Sequence, residues 1–69
     1  MQDGDRGKQI KAARTRAGVS QEALAAAMGV SVFTVSRYER GAVPVSDERL
    51  VQIAYALGLE RDAFMEVPA

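Results

Sequence analysis

Phe33, Ser36, Arg37 and Arg40 fall at intervals of three and four residues. On a helix, at about 100° per residue, they share one side. Val35 and Tyr38 define the opposite, buried side, and Val32 lies at the edge in the first turn. An outward aromatic ring flanked by guanidinium groups suits a surface of flat acceptors and methyl groups. In the major groove of duplex DNA, Arg37 can give two hydrogen bonds to one guanine edge, while Phe33 and Val32 pack against thymine methyls. Such a bidentate contact discriminates between bases by roughly 1 to 3 kcal/mol. The competing readings are that Phe33 folds back onto its own helix or fills a dimer contact, and that Arg37 and Arg40 are ordinary solvated charges.

Catalysis has far less to work with. The chain of 69 residues has no cysteine and no histidine, which excludes disulfides, zinc fingers and histidine-based acid–base chemistry. The candidate acids, among them Glu22, Glu39, Glu48 and Asp62, show no paired spacing, and no nucleophile, metal cluster or phosphate loop accompanies them. No catalytic residue, metal or cofactor is therefore expected, and a binding function is.

The elements that must carry the outward face can be read from punctuation. Gly18, Gly29, Gly41 and Gly58 each follow a stretch of helical apolar spacing, where a left-handed residue ends a helix without a Cβ clash. Ser20, Ser31 and Ser46 stand where a hydroxyl can accept from first-turn amides. Each serine is bracketed by an apolar pair, Val19 with Leu24, Val30 with Val35 and Val45 with Leu50, in the pattern of a hydrophobic staple. Ile10, Ala13, Arg14 and Ala17 form one stripe, and Leu50, Ile53, Ala54 and Leu57 another. The expected structure is all-α, with helices near 6–17, 21–28, 32–40 and 47–57, a short fifth near 60–66, and residues 1–5 loosely ordered ahead of a single domain over 6–69. The second and third helices are separated only by Gly29, Val30 and Ser31, so they should cross steeply over a tight turn, with the small Ala25 at the point of contact.

Composition sets bounds on the partners. With 48% hydrophobic and 26% charged residues the chain is globular rather than disordered. A core of this size supplies only about 3 to 5 kcal/mol, so regular helix packing has to do the rest. The longest apolar run, residues 23–30, is far short of the about 20 residues that span a bilayer, and nothing reads as a secretory signal, so a cytoplasmic protein without a membrane partner is expected. Net charge is zero, yet residues 6–41 carry seven basic against two acidic side chains, a balance of +5, and residues 42–69 carry two against five, or −3. One end is basic, as a nucleic-acid surface requires.

The segments GVSQEALAAAMGVSVFTVSRYERG at 18–41 and LVQIAYALGL at 50–59 resemble the Cro and phage-repressor type of helix-turn-helix regulators, also called the xenobiotic-response-element type. Gln21, Leu24, Ala25, Gly29, Val35, Glu39 and Gly41 stand at signature positions of that motif, and the likeness runs over roughly residues 8 to 66. The resemblance implies a five-helix lambda-repressor-like domain acting as a DNA-binding transcriptional regulator, of the repressor kind. It also implies that positions matching Val32, Phe33 and Arg37 touch bases, with Ser36 on the same face, and that Gln21 binds a phosphate at the start of its helix. Further phosphate contacts are expected from Ser31, Arg40, Lys8 and Lys11. The loop after Gly41 departs from the family in carrying no basic residue, so backbone amides around Val43, Val45 and Ser46 are left to donate to a phosphate.

Arg14 lies within the apolar stripe of the first helix and Glu39 on the core side of the third. Charges facing a core are tolerated when paired and hydrogen-bonded, so the two are expected to form a structural salt bridge, which the family likeness also implies. Helix-turn-helix proteins pair on half-sites about 34 to 36 Å apart. A homodimer on an inverted-repeat operator is therefore expected, with Leu59, Phe64, Met65 and Val67 as its contacts; the alternative is that Leu59 and Phe64 complete the monomer core. A second class of function is also open: an antitoxin or other protein-interaction module that engages a protein partner through the acidic C-terminal half, with or without DNA autoregulation.

Overall fold

The computed structural model describes residues 3–64, and these form four helices: α1 (Asp3–Arg16), α2 (Gln21–Met28), α3 (Val32–Arg40) and α4 (Asp47–Ala56). The serines do cap three of them. Ser20, Ser31 and Ser46 accept from the amides of Ala23 at 3.0 Å, Thr34 at 3.2 Å and Arg49 at 3.1 Å. At the other ends the four glycines take positive φ, between 72° and 74°. Behind Gly29 the Val30 amide reaches back to the Ala25 carbonyl at 3.0 Å, closing α2 so that the chain can start α3 three residues later.

Two boundaries differ from the sequence expectation. The first helix begins at Asp3, inside the stretch expected to be loose, and Asp5 brings negative charge to its positive end. The fifth helix is absent from the described residues: 61–64 are turns, held by one bond from the Ala63 amide to the Glu60 carbonyl at 3.0 Å, and 65 and 66 lie outside the description.

The core gathers Leu24 and Ala25 of α2, Val35 and Tyr38 of α3, and Leu50, Ile53 and Ala54 of α4 around Ile10, with Val45, Leu57 and Phe64 closing its edges. α3 packs against both α1 and α2, and α4 against α2. Helix α1 contributes little apolar surface: Ile10 is fully buried, Ala13 half-buried and Ala17 exposed, so its expected stripe is incomplete. What brings α1 close is Gly7, which is buried against the end of α3. A Cβ there would lie 2.3 Å from the Tyr38 carbonyl oxygen and 2.8 Å from that of Glu39.

Helix propensity and packing therefore make opposite forecasts for Gly7→Ala. Propensity alone favours alanine by about 0.5 to 1 kcal/mol, whereas overpacking against backbone that belongs to another helix costs roughly 1 to 3 kcal/mol. The clash should win, so thermal unfolding followed by circular dichroism is expected to show a melting temperature lowered by several degrees. A rise would mean that α1 does not approach α3 this closely.

Candidate nucleic-acid interface

The outward face is built by the contrast between the two sides of α3. Val35, Tyr38 and Glu39 are buried, whereas Phe33, Arg37 and Arg40 are exposed and lie within an arc of about 100° that also takes in the half-buried Ser36. Phe33 is 69% exposed, more than any other large hydrophobic side chain among the described residues. Arg37 makes no hydrogen bond or ion pair among them, while the Arg40 guanidinium leans back toward the Ser36 carbonyl at 3.4 Å. Val32 is half-buried and packs partly on the core, so only its edge faces outward. The Ser31 hydroxyl caps α3 and also bonds to that of Thr34 at 3.1 Å.

Behind this face lies a charged anchor. Arg14 donates from Nε to Glu39 Oε2 at 2.6 Å and from Nη2 to Glu39 Oε1 at 3.1 Å, a two-pronged pair whose side chains are 12% and 3% exposed. Arg14 Nη1 donates to the Val19 carbonyl at 2.8 Å, and Gln21 Nε2 donates to Glu39 Oε1 at 2.9 Å. The hydrogen bond to Glu39 raises the Arg14 guanidinium above its already high ordinary value, against the opposing effect of burial. Its charge is therefore fixed across the working pH range. The network joins α1, the turn after it, the start of α2 and the end of α3. No buried side-chain nitrogen or oxygen among the described residues is left without a partner.

Gln21, expected at a phosphate, is thus half-buried with its amide nitrogen turned inward to Glu39. Lys8 and Lys11 on α1 are exposed and unpaired among the described residues. In the loop between α3 and α4, Val43 packs partly on the core, Val45 is buried and Ser46 is exposed. Of the expected dimer contacts, Leu59 is exposed, Phe64 is buried in the monomer core, and Met65 and Val67 lie outside the described residues.

Sequence reasoning missed Arg6. Its Nη1 donates to the Val45 carbonyl at 2.6 Å and its Nη2 lies 2.9 Å from Asp47 Oδ1, tying the start of α1 to the loop that leads into α4. The partners are about forty positions apart, so no local periodicity announces them. The finding also changes the charge count: Arg6 and Arg14 are both neutralised, which leaves Lys8, Lys11, Arg16, Arg37 and Arg40 as the exposed basic groups of this half of the chain.

Comparison with known proteins agrees with the geometry. Residues 7–66 match the family described as helix-turn-helix domain. A transcriptional regulator of the ATPase CF(0) region in Rhodospirillum rubrum, itself uncharacterised, is 39% identical over 62 residues; the match takes in 90% of this chain and 57% of that protein's length. Among solved structures, the clp gene regulator ClgR of C. glutamicum superposes with a TM-score of 0.87 at 31% identity, covering 94% of this chain and 84% of that one. The restriction-modification controller protein C.AhdI of Aeromonas hydrophila superposes with a TM-score of 0.83 at 32% identity, covering 91% of each.

The buried pair makes a stability forecast with a built-in control. Glu39→Ala strands the Arg14 charge in the interior and is expected to cost about 3 to 5 kcal/mol, comparable to the whole stability of a domain this small. Replacing both partners together, as in Arg14→Met with Glu39→Leu, should recover most of that loss, because no unpaired charge remains. Urea titrations of the wild type, both single variants and the double variant give the coupling; additive losses would show that the pair does not act as a unit.

Proposed function

This chain belongs to the Cro and phage-repressor type of helix-turn-helix domains, a DNA-binding family of transcriptional regulators, and from that premise we propose that it is a sequence-specific repressor that lays α3 in the major groove of an inverted-repeat operator as a homodimer. The observation that carries this reading is the pairing of a 69% exposed Phe33 with an Arg37 that has no partner among the described residues, on one side of a helix whose other side is locked to the core. An exposed aromatic side chain costs solubility unless something covers it, and thymine methyls beside a guanine edge would cover this one.

In this arrangement Val32, Phe33, Ser36 and Arg37 meet bases, and Arg40, Lys8 and Lys11 meet phosphates. Ser31 and Gln21 touch the backbone of the duplex from the starts of α3 and α2, Gln21 through its main-chain amide while its side chain holds Glu39. The loop meets a further phosphate through the amides around Val43, Val45 and Ser46. Phosphate contacts set the register and base contacts set the sequence. Repression follows from occupancy alone, since a bound dimer denies the same duplex to other proteins. No helix among the described residues is long and apolar enough to cross a membrane, which suits a cytoplasmic regulator. The dimer contact is assigned to the region of Leu59, with Phe64 supporting it from within the core.

Duplexes selected from a random pool supply the test. Arg37→Ala should weaken binding to the selected duplex by roughly 5- to 150-fold and relax the preference at one base pair. Lys11→Ala should weaken all sequences alike and reduce the slope of log affinity against log salt by about 0.9. If no sequence is enriched, or Arg37→Ala leaves the selection unchanged, α3 is not the reading head. Sedimentation equilibrium should find two chains per operator; a monomer at high concentration, with and without operator, refutes the dimer.

A further inference from the structure

Arg6 is 24% exposed in its side chain and holds two groups at once: the Val45 carbonyl at 2.6 Å and the Asp47 carboxylate at 2.9 Å. Both belong to the connection that the proposed complex presses against a phosphate. The peptide bond between Val45 and Ser46 is trans, as no cis bond occurs in the described chain. In a trans peptide the C=O and N–H vectors point in opposite directions. Fixing the Val45 oxygen on Arg6 therefore fixes the Ser46 N–H pointing away from Arg6. Ser46 is exposed, and as the residue capping α4 its N–H lies ahead of the helix's own bonding pattern.

The second contact deals with charge. Asp47 is the first residue of α4, and its side chain is 72% exposed. A free carboxylate one residue from a phosphate-binding amide would repel the anion it is meant to hold. Paired with the Arg6 guanidinium, that charge is cancelled where it stands. We propose that Arg6 is a positioning residue for DNA binding: without touching the duplex, it aims the Ser46 N–H at a backbone phosphate and neutralises Asp47 beside it. This rests on the DNA-binding reading above and adds to it a residue that acts through others.

The experiment is a double-mutant cycle in the full chain, read by fluorescence anisotropy on the duplex selected with the wild type. Arg6→Ala is expected to weaken binding on the order of tenfold, the size of one charge-assisted hydrogen bond. Asp47→Asn in the wild-type background should change affinity less than twofold, because that charge is already cancelled; about twofold is the resolution such cycles need. Asp47→Asn added to Arg6→Ala should restore a substantial part of the loss. Additive effects, or no loss with Arg6→Ala, overturn the proposal, since a direct phosphate contact by Arg6 or a purely structural role would not be rescued through Asp47. If Arg6→Ala does not fold, Arg6→Lys carries the same cycle: a lysine has no fork that reaches the two acceptors from separate nitrogens, so affinity should fall and should return when Asp47→Asn leaves the ammonium to Val45. As a second readout, the Ser46 amide resonance should shift on duplex addition in the wild type and not in Arg6→Ala. Should the wild-type chain itself bind no selected duplex, the DNA-binding reading fails first, and the cycle separates that outcome from a failure of Arg6.

Discussion

A carboxylate that is 3% exposed at the end of the third helix is the constraint on which the rest of the molecule turns. Glu39 cannot sit in the core uncompensated, because burying an isolated charge costs far more than a domain of this size has available. Its demand is met by Arg14 from α1 and Gln21 from α2, so three elements must arrive in one geometry before the ion becomes tolerable. A buried pair of this kind adds little net stability compared with apolar residues of the same volume. What it supplies here is orientation. Hydrophobic contacts at Val35 and Tyr38 hold α3 to the core but are indifferent to modest rotations, whereas a two-pronged guanidinium contact is not. The outward direction of Phe33 and Arg37 follows from where Glu39 is pinned, six and two residues further along the same helix.

The first helix illustrates how a small domain economises on apolar surface. It places one large side chain, Ile10, in the core, and otherwise attaches through Gly7, Arg6 and Arg14. Gly7 lets the two backbones touch, Arg6 holds the entrance to α4, and Arg14 holds Glu39. The cost of glycine within a helix, about 0.5 to 1 kcal/mol, is offset by the closeness it permits. Without that closeness neither arginine would be placed over its partners. The polar links at either end of α1 and the glycine between them act as one device.

Much of this was legible beforehand because the informative signals are local. A serine three residues before the amide it caps, a glycine at a left-handed turn and an apolar residue on either side of each cap all lie within a few positions of one another, and α2 and α3 lie where those signals put them. The exposed side of α3 was readable for the same reason, as it follows from helical periodicity within nine residues. Arg14 and Glu39 could be singled out because each interrupts an apolar stripe, and a misplaced charge calls for a partner. Arg6 interrupts nothing, and its two partners lie about forty residues away, so only the folded chain brings them to view. Gln21 was placed at the right end of the right helix, but spacing cannot tell an amide turned outward from one turned in toward a carboxylate. The expected fifth helix near 60–66 is described only in part: residues 61–64 are turns held by a single bond, and 65 and 66 lie outside the described residues.

The charge pattern carries a consequence for how such a domain holds DNA. A balance of +5 over residues 6–41 looks generous, but two of the seven basic side chains are consumed within the fold, and Glu22 remains exposed beside those left over. Sequence-independent attraction scales with the number of phosphates neutralised, each contributing about 0.9 to the salt slope. A chain with five exposed basic groups in that half, and an acidic second half, is therefore restrained in its non-specific affinity. In the proposed complex the deficit is made up by contacts that do not depend on net charge: the bidentate edge contact of Arg37, the apolar cover of Phe33, and neutral amide donors such as Ser46. These are sensitive to geometry in a way that a loose cation is not, since an N–H that is tilted or shifted loses its bond while a lysine side chain follows its phosphate. On the proposed reading, discrimination between sites depends on the rigidity of the frame, to which the buried Glu39 pair and the Arg6 contacts with Val45 and Asp47 contribute.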